Sequence, residues 1–324
     1  MSHAPNIDGV LITWGDRLFY PGNRVVKVKP QPKLSGDSAR QRAAAIRERI
    51  EATVVRRAPQ DMVKVTGGGR GMKAIAAHFR YISKNGRLDI EDEHGETMRG
   101  KDALPELADD WRFGGTLIDD VAEPGQRREA FNIMLSMPRG IDPLTVQRAA
   151  REFAQIELAD HKYVMVLHDH QTNPHVHISV RAESKHGKRL NPRKADLHRW
   201  RETFAEKLRE RGVEAEATRQ ATRGRNRNYD PLWRIKARED GRLRTSRPST
   251  KSSAHAHATR ADAVAAWMEV GRALATSTGK ADRDLARSIA SFIQEMSSTT
   301  PSAVPSRAPA MEPVSRPIDI DHRR

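Results

Sequence analysis

Apolar residues in the central part of the chain recur with two alternating periods. Met62-Val-Lys-Val-Thr66 reads as a short strand, and Gly67-Gly-Gly69 turns the chain into a segment with Met72, Ile75, Ala76, Phe79 and Ile82 at helical spacing. Asn85-Gly86 supplies a helix stop. Arg87 to Glu91 and the residues after Glu93-His-Gly95 have the look of a hairpin, and a helix follows over Asp102 to Arg112. Ala130 to Ser136 is the next strand. Asp142-Pro143 pairs an N-cap residue with proline at the first helical position, opening a helix that runs to about Ala159. Asn191-Pro192 repeats that signal before Leu197, Trp200, Phe204 and Leu208, and Gly212 closes the segment. Strands joined partly by hairpins and interleaved with helices predict an α+β domain over residues 61–225, a largely antiparallel sheet with helices packed on it.

Between the last strand and the last of these helices lies the most informative stretch. Lys162-Tyr-Val-Met-Val-Leu167 and the run from His175 to Val180 are two strand-like segments, joined by a polar turn with Thr172-Asn173-Pro174 at its tip. Side chains at i and i+2 of a strand share a face, so His175 and His177 point together while Val176 points to the core. A hairpin folds His168 back beside them. Three converging imidazoles without a fourth protein ligand describe an open metal site of the catalytic kind.

Composition narrows the chemistry. The 324 residues contain 57 Lys and Arg against 42 Asp and Glu, a net charge of +15 and a pI near 10.3. That balance favours a polyanionic partner. With no cysteine there is no disulfide, thiolate ligand or cysteine nucleophile. No apolar run is long enough for a membrane span and the beginning lacks a signal-peptide layout, so the expectation is a soluble, cytoplasmic protein without membrane insertion. Gly67-Gly-Gly-Arg-Gly71 lacks the Gly-Lys-Ser/Thr ending of a phosphate-binding loop, which argues against a nucleotide site.

The flanks carry less information. Residues 1–60 mix Pro, Gly and Arg with short apolar patches, Val10 to Trp14 among them, and read as a basic, mostly flexible arm with a helix from Ser38 to Arg57. Residues 226–260 form an arginine-rich linker. Residues 261–296 can form two helices carrying Val264, Trp267, Val270, Leu274, Leu285, Ile289 and Phe292, too few for a core of their own, and residues 297–324 form a Ser/Pro-rich disordered tail.

Tyr81 lies on the helix that follows the glycine-rich turn, beside the apolar face, with Ser83, Lys84 and Arg87 near it. The segments Tyr81-Ile-Ser-Lys-Asn-Gly86 and His168-Asp-His-Gln-Thr-Asn-Pro-His-Val-His177, in that order, resemble the plasmid-mobilisation relaxases, the MobA/VirD2-like branch of the His-hydrophobic-His endonucleases. The resemblance covers residues 61–225. It implies a nuclease that nicks one DNA strand at a transfer origin, with Tyr81 as nucleophile and His168, His175 and His177 holding Mg²⁺ or Mn²⁺; three neutral imidazoles alone suit Zn²⁺ or Mn²⁺ equally well. It further implies single-stranded DNA as partner, relaxosome accessory proteins and a type IV secretion coupling protein around it, and a bacterial cytoplasmic location with export attached to DNA. Lys84, Arg87, Lys185, Lys188, Arg189, Arg193 and Lys194 are the candidates for phosphate contacts.

One departure stands out. The family has an acidic residue two positions after its first histidine, where this chain has His170, with Asp169 beside it. Asp169, or Asp109 or Asp110 folded nearby, is the expected orienting group for a ligand histidine, and His170 competes with His168 as ligand. A rolling-circle replication initiator shares the histidine strand and the tyrosine, but with the histidines first in the chain. A basic accessory protein whose altered motif has lost catalysis is the third reading.

Overall fold

The computed structural model describes residues 6–20, 36–121, 127–224, 237, 240–242 and 254–298. Most of the arginine-rich linker and nearly all of the Ser/Pro-rich tail lie outside the described residues. In chain order the elements are α1 (Ile7–Phe19), α2 (Gly36–Val54), β1 (Met62–Gly67), α3 (Met72–Ile82), β2 (Ile90–Asp92), β3 (Thr97–Met98), α4 (Ala103–Phe113), β4 (Ala130–Ser136), α5 (Pro143–Glu157), β5 (His161–His168), β6 (His175–Ser184), α6 (Lys194–Glu210), a 3-10 turn (Ala221–Arg223), α7 (Ala254–Ala275) and α8 (Lys280–Ser298).

The six strands form one sheet in the order β1-β4-β6-β5-β2-β3, and every neighbouring pair is antiparallel. Alternation along the strands gives each face its own helical layer. Val63, Ile133, Leu135, Met165, Val176, Ile178 and Val180 pack against Val146, Phe153, Trp200, Phe204 and Leu208 of α5 and α6. On the other face Val164, Val166 and Ile90 pack against Ile75, Phe79 and Ile82 of α3 and Leu107 and Trp111 of α4. The expected α+β architecture is present.

Local chemistry sets the start of α5 and the end of α3. Asp142 accepts from the backbone N–H of Thr145 at 2.8 Å and starts α5. At the C-terminus of α3, the Ser83 hydroxyl accepts from Gly86 N–H at 3.0 Å. Lys84, Asn85 and Gly86 all adopt left-handed φ. A β-carbon at Gly86 would sit 2.2 Å from the carbonyl oxygen of Gly100, so the turn requires glycine. The N-terminus of α3 is closed by the chain itself: the N–H groups of Met72 and Lys73 donate to the carbonyls of Asp119 and Asp120. Those two N–H groups are thus engaged within the chain rather than open to an anion.

The reading of residues 1–60 as a mostly flexible arm needs correction. Within it α1 and α2 are helices that pack with α7 and α8 from the far end of the chain. Leu11, Leu18, Phe19, Ile46, Ile50, Trp267, Val270, Leu274, Ile289 and Phe292 share one buried core. Gly15 is where α1 and α2 touch, since a β-carbon there would lie 2.4 Å from Ile46. Two pairs of helices that each lack a core build one together. Trp267 Nε1 donates to the Thr222 carbonyl at 2.8 Å, and Arg49 of α2 reaches Glu216 and Glu202 of the sheet domain.

Candidate metal centre and nucleophile

The β5–β6 hairpin brings the three histidines together by register. His168 is the partner of His175, and His177 sits opposite Val166. Their rings lie 4.6–5.0 Å apart, centroid to centroid, and one nitrogen from each lies within 4.8 Å of the others. All three are buried. His168 Nε2 is 2.7 Å from the carbonyl oxygen of Ile82, and His175 Nδ1 is 3.0 Å from that of Asn173. Each contact engages one ring nitrogen and leaves the other for the cage. His177 Nδ1 is buried without a hydrogen-bond partner among the described residues. A buried polar atom of that kind costs free energy unless a cation or proton takes its lone pair. Burial, reinforced by His168, His175 and His78, lowers the His177 pKa to about 3. Burial likewise lowers that of His168, against the Ile82 carbonyl, which raises it. Both imidazoles are therefore neutral at pH 7, the protonation state of a metal ligand.

Tyr81 projects from the last turn of α3. Its ring centroid is 6.3 Å from that of His177, and 69% of the residue is exposed. An exposed phenol thus lies beside a buried cluster of three imidazoles.

Residues 81–213 match the family model of the relaxase nuclease domain, MobA/VirD2-like. That segment is similar to a relaxase nuclease domain. The match begins at Tyr81 and takes in all three histidines, and the general activity of such a domain is DNA nicking. No curated protein sequence matches the chain. In space the sheet and its helical layer extend beyond the matched segment, since β1 and the rest of α3 belong to them.

Relaxases are metal-dependent, and the donor set fits a divalent cation: three buried, convergent imidazoles with an orphaned nitrogen among them. The orienting group is different from the expected carboxylates. Asp169 is exposed, Asp110 is paired with Lys162 at 2.8 Å, and the Ile82 carbonyl takes the place of an acid at His168. His170 is also exposed; its ring is 5.2 Å from that of His168, and it is not part of the three-nitrogen cluster.

Sequence reasoning missed His78. One helical turn before Tyr81, it sits 6.0 Å from the Tyr81 ring and 6.4 Å from that of His177, and burial holds its pKa at about 4. Its only signal was the i, i+3 spacing to Tyr81, which any helix offers. The candidate phosphate contacts separate into two groups. Lys84 and Arg87 are exposed at the end of α3, close to Tyr81. Lys185, Lys188, Arg189, Arg193 and Lys194 follow the far end of β6, roughly 23 Å from His177 at the usual rise per residue of a strand. Arg189 is already committed to Glu129 at 3.2 Å. The structure does not bring this second group to the cage.

Proposed function

We propose that the domain nicks one strand of DNA at a transfer origin by tyrosine transesterification. The observation that carries this reading is the Tyr81 ring 6.3 Å from His177, beside a cluster of three buried imidazoles. A divalent cation on His168, His175 and His177, with magnesium or manganese favoured by the family, would neutralise charge on the non-bridging oxygens of the scissile phosphate. The Tyr81 oxygen attacks phosphorus, a bond forms between them, and the bond to the 3′ oxygen breaks. The phenol gives up its proton as the departing 3′ oxygen gains one. The products are a 5′-phosphotyrosyl link and a free 3′-OH, and the conserved ester energy lets the reverse reaction reseal the strand.

Exposure of Tyr81 suits a substrate the size of a DNA strand, and burial of the imidazoles keeps their geometry fixed when the strand arrives. In this reading the protein works in a bacterial cytoplasm, with relaxosome accessory proteins and a type IV secretion coupling protein as further partners, and leaves the cell attached to its strand. Among the described residues no helix is long and apolar enough to cross a membrane. The test is incubation of the full chain and Mn²⁺ with single-stranded oligonucleotides from the DNA around its own reading frame. A covalent protein–DNA adduct that survives denaturation is expected. Absence of adduct with every segment, including inverted repeats and their flanks, overturns the reading.

A further inference from the structure

The outer surface of the α7–α8 pair holds a groove of about 820 Å³. Trp267, Val270 and Leu274 of α7 and Leu285 and Phe292 of α8 turn the other way and fill the bundle core with α1 and α2. The floor of the groove is apolar as well: Met268 and Ala275 come from α7, Ala290 and Ile293 from α8. Met268 is 49% exposed, Ala275 and Ala290 are exposed, and Ile293 is half-buried. From Lys280 to Ile293 the groove follows α8 for about 20 Å at the helical rise per residue.

The rim of the groove is cationic, and unevenly so. Arg272 is bound to Glu269 at 2.8 Å, and Arg287 is paired with Asp284. At the end next to the α7–α8 turn the charge is left over. Arg283 donates only to the carbonyls of Ser277 and Thr278, at 3.0 and 2.7 Å. Lys280 is exposed and makes neither a hydrogen bond nor an ion pair with the described residues. The acids at the start of α8 are already taken, Asp282 by Arg47 at 3.1 Å and Asp284 by Arg287. Two positive charges without a matching acid therefore stand at one end of an apolar trough.

This combination selects among occupants. DNA would meet no aromatic side chain on which a base could stack. A second copy docked across a twofold axis would set one cationic rim against another. An extended segment needs partners for its backbone N–H and C=O groups, and two helices already bonded along their length offer none. A helix satisfies its own backbone and asks only for a groove that takes its apolar stripe. We propose that this groove receives an amphipathic helix of another protein, with its apolar stripe on Met268, Ala290 and Ile293 and an acidic end over Lys280 and Arg283.

The probe is a fluorescein-labelled synthetic helix of about 14 residues, the length that spans the groove, with leucines along one stripe and glutamates at one end. Two companion peptides carry lysine in place of glutamate, or serine in place of leucine. Measured by anisotropy on the full-length chain, the acidic leucine peptide should bind and each companion should bind roughly tenfold more weakly or less. Lys280→Glu should weaken the acidic peptide roughly tenfold at low salt and less at high salt, as a rim charge does. Ala290→Trp, which fills the floor, should weaken it at every salt concentration. Both positions are exposed, so thermal melts of the two variants should match the wild type and exclude misfolding as the cause. Equal binding of the acidic and lysine peptides, no binding of any of the three, or wild-type affinity in both variants overturns the proposal. So does self-association of the wild type that Ala290→Trp abolishes, which gives the groove to a second copy, or loss of oligothymidylate binding in that variant, which gives it to DNA. The peptide measurement involves no nicking, so its outcome is independent of adduct formation at Tyr81.

Discussion

His168 Nε2 lies 2.7 Å from the carbonyl oxygen of Ile82, the residue directly after Tyr81. One hydrogen bond thus ties the first histidine of the cluster to the helix turn that carries Tyr81. The carbonyls at the end of a helix bear partial negative charge, so this one does what a carboxylate does elsewhere: it fixes the tautomer and ring orientation of a ligand histidine. The consequence is specific. His168 should carry its proton on Nε2 and offer Nδ1 to the cage, whereas His175, with Nδ1 against the Asn173 carbonyl, should offer Nε2. Long-range ¹H–¹⁵N spectra of the imidazoles at neutral pH distinguish the two tautomers, and the reverse pattern would remove the link between helix and cage.

Replacement of Tyr81 by Phe should abolish covalent capture of DNA and leave binding nearly unchanged. The side chain is largely exposed, and surface substitutions of this type stay within about 0.5 kcal/mol in stability. Loss of adduct therefore cannot be charged to unfolding. A normal adduct yield in Tyr81→Phe would take the residue out of its role.

The double replacement His175→Ala/His177→Ala should lose metal uptake and nicking together. Removal of an outer-shell partner costs up to about 100-fold in affinity, and removal of two ligands should exceed that. Calorimetric titration with Mn²⁺ or Zn²⁺ after chelator treatment measures it. Wild-type affinity in the double variant would locate the cation elsewhere.

The histidine cage was legible because a hairpin is local. His168, His175 and His177 fall within ten residues, and period-two alternation with a turn at Pro174 places them on one face without any remote information. Tyr81 was legible only jointly with the histidines, since the chain alone does not say that α3 ends over β5. The Ile82 contact was invisible, because backbone carbonyls leave no mark in a sequence, and attention went to Asp169, Asp109 and Asp110 instead. Residues 7–54 failed for another reason. The apolar stripe of α1 is covered by Trp267 and Val270 of α7, partners so distant in the chain that a local reading saw only scattered patches in a basic arm.

Acid should destabilise the fold from pH 6.5 downward. Burial depresses His177 to about 3 and His78 and His198 to about 4, from an ordinary value of 6.5. In the unfolded chain all three take up protons as the pH falls through 6.5; in the folded protein they remain neutral until it approaches 4. The unfolded state binds more protons across that window, so the stability these neutral histidines contribute is full above pH 6.5 and declines as acid is added. Thermal melts in chelator-containing buffers should show Tm dropping between pH 6.5 and 4, with a smaller drop in His78→Phe. A flat Tm over that range would mean the three rings are not held neutral.

The junction between the helical bundle and the nuclease domain should depend on Arg49. Its Nε and Nη2 donate to Glu216 at 3.1 and 3.0 Å, its Nη1 lies 3.0 Å from Glu202, and both Arg49 and Glu216 are buried. Removing one partner of a buried ion pair strands the other, at a cost of about 3–5 kcal/mol, whereas replacing the set with apolar residues of similar size is often tolerated. Arg49→Ala should therefore lower the urea midpoint substantially. Arg49→Met combined with Glu216→Leu and Glu202→Gln should recover much of the loss, because no charge is left unpaired at the seam. The bundle also covers α1, so the single variant should expose Trp267 to solvent before the histidine hairpin unfolds, seen as an early tryptophan transition ahead of metal loss. Equal midpoints for Arg49→Ala and wild type would mean that the remaining contacts across the seam, among them the Trp267–Thr222 and Thr222–Leu18 hydrogen bonds, hold the bundle to the sheet domain without Arg49.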